Sequence, residues 1–83
     1  MDPQLLVERL GEQLKLMRVQ RGYTLTQLAQ AAGLTRQKLA AIEKGGMTIS
    51  MQMYAKVIAA LGSEVKIVPA RRPSFEELKE IFG

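Results

Sequence analysis

The sequence predicts an all-α protein: a compact four-helix domain, then one short strand that pairs across a dimer, then a short tail helix. Three observations carry that expectation. Capping residues recur just ahead of apolar runs at helical spacing, glycines stand at the ends of those runs, and period-two alternation is confined to residues 64–68.

The first helix opens at Asp2 and Pro3, a capping side chain followed by a residue whose fixed φ suits the first turn. Leu6, Leu10, Leu14 and Met17 carry its apolar stripe, Gly11 is expected to weaken it, and Gly22 ends it. The second helix opens at Thr24. Its hydroxyl can accept from the Gln27 amide while the Gln27 side chain reaches back to the Thr24 amide, a reciprocal capping box. Leu28, Ala29 and Ala32 fall on one face, and Gly33 lets the chain leave after two turns.

After a tight turn Thr35 caps a third helix, running from about Arg36 to Lys44, with Leu39 and Ile42 as its buried stripe and Gly45 as its end. Ser50 caps a fourth, with Met51, Tyr54, Val57, Ile58 and Leu61 facing inward and Gly62 as the stop. Met51 and Met53 read as core fillers rather than ligands.

Glu64, Val65, Lys66, Ile67 and Val68 then alternate polar and apolar until Pro69. A lone strand leaves its backbone groups without partners, and the chain offers no second candidate, so another copy is the expected partner. Two antiparallel copies of residues 64–68 across a two-fold axis would form a ribbon through Val65, Lys66, Ile67 and Val68. An extended tail packed on its own domain is the other arrangement open to this segment. The chain thus divides into a domain over residues 1–69 and a tail over 70–83. In the tail, Ser74 caps a short helix with Phe75, Leu78, Ile81 and Phe82 on one side. So short a helix is unstable alone. It docks on its own domain, on the other subunit or on a different protein.

Composition narrows the functions. With 83 residues the chain is one small domain, hiding only about 60% of its unfolded surface. It contains no Cys, hence no disulfide or thiolate metal site, and a cytoplasmic location is expected. No secretory signal and no apolar stretch of ~18 to 20 residues is read, so neither export nor membrane insertion is expected. Without His, Cys, a Gly-rich phosphate loop or paired carboxylates in a cleft, neither an enzyme nor a cofactor is expected. The net charge is +4, and because residues 74–83 hold Glu76, Glu77 and Glu80 against Lys79, the preceding residues carry +6. Such a body attracts phosphate irrespective of base sequence.

The third helix suggests what that attraction serves. If Leu39 and Ile42 point inward, Arg36, Gln37, Ala40, Ala41 and Lys44 remain outside, with the first two at the positive end of the helix dipole. Arg can present two hydrogen bonds to guanine and Gln two to adenine on the major-groove edges of base pairs. Small Ala40 and Ala41 let the backbone come close. Thr35, Lys38 and Lys44 are suited to holding phosphates or flanking the reading positions, and Thr24 and Gln27 to anchoring the preceding helix. A solvated polar helix face is the bland alternative.

With LGEQLKLMRVQRGYT (Leu10 to Thr24), LAQAAGLTRQKLAAIEKG (Leu28 to Gly45) and ISMQMYAKVIAALG (Ile49 to Gly62), positions 10 to 62 resemble the Xre/Cro-type helix-turn-helix domain, a lambda-repressor-like fold of bacterial and phage regulators. The resemblance implies an ion pair between Arg18, late in the first helix, and Glu43, late in the recognition helix. It departs at Leu25, where the family usually carries a Gln that contacts DNA; Gln27 or Thr24 then serves, or the sequence preference differs. The helix-then-strand ending resembles HipB-type antitoxins, in which a domain of this kind dimerises through a strand and holds a kinase-like toxin. That implies a homodimeric repressor of its own toxin-antitoxin operon, bound to an inverted-repeat operator and to a HipA-like toxin, with the tail as a further contact to that partner. A stand-alone Xre-type regulator and a protein-interaction module without specific DNA binding are the other readings open at this point.

Overall fold

In the computed structural model, which describes residues 2–70, the chain forms four helices: α1 (Pro3–Gln20), α2 (Leu25–Ala32), α3 (Arg36–Glu43) and α4 (Met51–Ala60). Each begins at a side-chain cap. Asp2, Thr24, Thr35 and Ser50 accept from the amides of Gln4, Gln27, Lys38 and Met53, two or three residues on. Caps of this kind contribute about 1 kcal/mol each, a large share of what a small domain has to spare.

Each helix also ends in one motif. Gly22, Gly33, Gly45 and Gly62 take left-handed backbone with φ between 66° and 79°, and the amide of each following residue donates to a carbonyl five residues back, as Leu34 does to Ala29 at 2.9 Å. The chain therefore leaves every helix abruptly, and Leu34, carried in by the turn after Gly33, packs on the core.

α2 packs against α3 and α4, and α1 packs against α3. Leu28, Leu39, Ile42 and Val57 are fully enclosed, with Leu14, Ala29, Ala32, Tyr54, Ile58 and Leu61 around them. No buried side-chain polar atom among the described residues lacks a partner. Tyr54, the polar member of that core, donates its hydroxyl to the Gly46 carbonyl at 2.8 Å and so pins the connection between α3 and α4. Burial raises its pKa above the ordinary tyrosine range. A raised folded-state pKa contributes stability that is complete below the unfolded value and lost as pH climbs past about 10. Tyr54→Phe is expected to cost about 1 kcal/mol at neutral pH and to flatten that alkaline loss, read by urea unfolding at pH 7 and above 10.

Two expectations about helix faces need correction. Leu6 is exposed, and Val7 takes its place beside Leu10, Leu14 and Met17. At about 100° per residue the sets 6, 10, 14, 17 and 7, 10, 14, 17 span arcs of the same width on either side of the packed face, so helical spacing alone does not choose between Leu6 and Val7. Met51 is also exposed, whereas Met53 packs on the core as expected. Side chains tilt toward the helix N-terminus, which carries that of the first residue past the packed face. Gly11, expected to weaken α1 on propensity alone, lies buried where α1 crosses the end of α3, a close approach that the sequence does not reveal.

The strand expected over residues 64–68 is absent: these residues carry no regular structure, and no strand occurs among the described residues. A strand exists only with a ladder partner, and the single chain supplies none. The segment instead runs along α1 and α4, where Val65, Lys66 and Val68 edge a groove with Leu10, Met17 and Ile58, while Ile67 is 100% exposed. The tail residues Phe75, Leu78, Ile81 and Phe82 lie outside the described residues.

Candidate nucleic-acid interface

Thr35 sets the outward tip of α3. Its side chain accepts from Lys38 at 3.1 Å, which fixes the first turn and leaves the amides of Arg36 and Gln37 without an intrahelical acceptor. The side chains of Arg36, Gln37 and Lys38 are exposed, as is Lys44 at the other end. Between them Ala40 and Ala41 are half-buried and small, so nothing on this face stands above the backbone except the polar groups at its ends. Leu39 and Ile42, completely enclosed, fix the rotation of the helix about its axis and thereby keep Arg36 and Gln37 turned outward.

The start of α2 presents a second set of donors. Thr24 accepts from the Gln27 amide at 3.1 Å and the Gln27 side-chain oxygen accepts from the Thr24 amide at 2.9 Å. These contacts use the acceptor oxygens and leave the Thr24 hydroxyl proton and the Gln27 side-chain NH₂ as exposed donors, the polarity that suits a phosphate. Leu25 sits at the first position of α2, half-buried and packed on the core. Its side chain belongs to the packing of the domain, which leaves the polar contacts at this end to its neighbours.

Arg18 and Glu43 hold the two regions in relation. The Arg18 guanidinium grips the Glu43 carboxylate with two hydrogen bonds, Nε to Oε2 at 2.7 Å and Nη2 to Oε1 at 3.1 Å, and donates a third from Nη1 to the Tyr23 carbonyl at 2.9 Å. Their side chains are only 11% and 6% exposed. One side chain on α1 thus binds the C-terminal end of α3 and the residue just before the cap of α2. Glu43 lies at the negative end of its own helix, where a carboxylate is disfavoured, and the guanidinium offsets that cost. The Tyr23 carbonyl is the member of this cluster that sequence reasoning missed, since a main-chain acceptor leaves no trace in residue type.

Capped, glycine-ended helices meeting at a sharp turn, with the second pinned to α1 and its polar tip outward, make a helix-turn-helix. The sequence profile of the helix-turn-helix domain family matches residues 9–65, most of the chain. The chain belongs to that family. No curated protein matches it. Among solved structures, this helix-turn-helix protein is similar to a chain in the structure of the HipA-HipB-O2-O3 complex, with 20% identity and a TM-score of 0.69 over 77% of this chain and 90% of that one. A structure described as MDT protein aligns equally well, at 22% identity and a TM-score of 0.69, with the same coverage of each chain. At such identities the likeness is one of fold. No described helix of this helix-turn-helix domain is long and apolar enough to cross a membrane.

Proposed function

We propose that this chain is a sequence-specific DNA-binding repressor that works as a homodimer. The observation that carries this reading is the outward tip of α3, where Arg36 and Gln37 stand exposed above a surface smoothed by Ala40 and Ala41. In this reading α3 enters the major groove, Arg36 and Gln37 read base edges, and Ala41 sets the depth of approach. Thr35, Lys38 and Lys44 contact the flanking phosphates, and Thr24 and Gln27 hold the backbone at the start of α2. Replacement of Arg36 by Ala is expected to weaken binding to a cognate site by ~1 to 3 kcal/mol and to relax preference at one base position. Titration of a set of single-base operator variants checks this; an equal loss on every sequence makes Arg36 a phosphate contact.

Residues 64–68 are the proposed dimerisation segment. They carry no regular structure, their backbone groups have no ladder, and Ile67 is wholly exposed, so pairing with a second copy would satisfy groups that now face solvent. Ile67→Pro removes a ladder donor and is expected to shift the dimer to monomer in sedimentation. An unchanged dimer takes this strand out of the interface.

The repressor is further proposed to be the antitoxin of a toxin-antitoxin operon, repressing its own transcription and binding a HipA-like kinase, with Phe75, Leu78, Ile81 and Phe82 contributing to that contact. What supports this is the likeness of fold to a chain of the HipA-HipB-O2-O3 complex. A gene neighbour encoding a HipA-like kinase is its simplest check, and the absence of one favours a stand-alone regulator.

A further inference from the structure

We propose that the outward face of α1 is an interface between copies of this chain, packed antiparallel across a two-fold axis. α1 carries two seams. Val7, Leu10, Leu14 and Met17 face the core, and on the opposite side Leu5, Arg9, Glu12, Leu16 and Val19 follow one another at steps of 4, 3, 4 and 3, the spacing of a helix-pairing stripe. Leu5, Leu16 and Val19 are 39%, 57% and 55% exposed, and Arg9 and Glu12 are exposed between them.

The seam is self-complementary. Reversed end for end about its midpoint, between Leu10 and Gly11, it places Leu5 of one copy level with Leu16 of the other, and Arg9 level with Glu12. Each match occurs twice, as an isologous contact requires, so two leucine contacts bracket two opposite-charge pairs. The surface has the matching relief. Two shallow recesses lie along this face, both rimmed by Arg9 and Glu12; one is walled by Leu16 and Val19, the other by Leu5. In the antiparallel arrangement Leu5 of each copy meets the first recess of its partner and Leu16 meets the second.

A helix seam of this length, with a charged centre, makes a modest contact, suited to joining chains already concentrated on DNA. It uses neither residues 64–68 nor the tip of α3, and although Lys44 borders the second recess, its test reads only Leu5, Arg9, Glu12 and Leu16, none of which the proposed function invokes. The chain has no Cys, so engineered ones report register without background. Leu5→Cys and Leu16→Cys are prepared separately, at exposed positions that leave the core intact, and mixed under mild oxidation. The mixture is expected to give covalent dimer in about tenfold greater yield than either variant alone, because the two-fold register pairs position 5 only with position 16. Glu12→Arg is expected to cut that yield about tenfold, and adding Arg9→Glu to restore it. Equal yields from the mixture and the single variants, or a yield indifferent to Glu12→Arg, overturn the interface.

Discussion

Arg18→Ala is expected to destabilise the domain by about 3 to 5 kcal/mol, the cost of leaving a buried carboxylate without its partner. The side chain lost makes three hydrogen bonds to two separate parts of the chain, and Glu43 has no water to replace them, being 6% exposed. Glu43→Gln keeps shape and one acceptor and is expected to cost less. Urea unfolding at neutral pH checks both. The pair also fixes the angle of α3 against α1, so the same variant, assayed where it remains folded, is expected to bind DNA more weakly without touching it. An Arg18→Ala protein as stable as the parent would reduce the pair to two solvated charges.

Gly11→Ala is expected to cost about 3 kcal/mol, at the upper end of overpacking, even though alanine is the better helix former by about 1 kcal/mol. A Cβ at position 11 would overlap the Ile42 carbonyl oxygen and come within 2.9 Å of the Glu43 carbonyl oxygen and the Gly45 amide nitrogen. All three are main-chain atoms at the end of α3, so no rotamer change relieves the clash. Only separation of α1 from α3 does, and that separation would stretch the Arg18 pair as well. Thermal unfolding decides between the two tendencies. A raised melting temperature would mean that the helices do not approach so closely.

Both variants act at one place, where α1 crosses the C-terminal end of α3, and this crossing separates what the sequence reveals from what it conceals. Caps and stops are local, written into residue types within one turn, which is why Thr24 with Gln27, Thr35 and Ser50 mark three helix starts, and Gly33 and Gly45 the stops on either side of α3. Faces depend on phase. A choice between Leu6 and Val7, or between Met51 and Met53, turns on rotations and end effects that apolarity alone does not resolve. Long-range contacts are harder still. Arg18 and Glu43 lie 25 residues apart with no periodicity linking them, and resemblance to a family was the only ground for pairing them. Gly11 reads only as a propensity cost in a helix, because its neighbours in space come from residues 42–45 and leave no trace beside it in the sequence. A strand over 64–68 has a legible pattern, but its formation depends on a partner that one chain does not contain.

The proposed interface joins these levels. The tip of α3 is made by a local cap at Thr35, turned outward by the burial of Leu39 and Ile42, and aimed by the Arg18 pair. Its chemistry then follows from Arg36 and Gln37. A basic chain binds any duplex weakly at low salt, so affinity alone does not separate a repressor from a merely cationic surface.

Selection of sites from a random duplex pool at near-physiological salt, followed by stoichiometry on the enriched sequence, is therefore the decisive measurement. A homodimeric repressor enriches an inverted repeat bound by two chains, with half-sites about one helical turn or a multiple of it apart. A pool that emerges without enrichment, bound only in proportion to falling salt, would contradict sequence-specific recognition and leave the helix-turn-helix as a surface for other proteins.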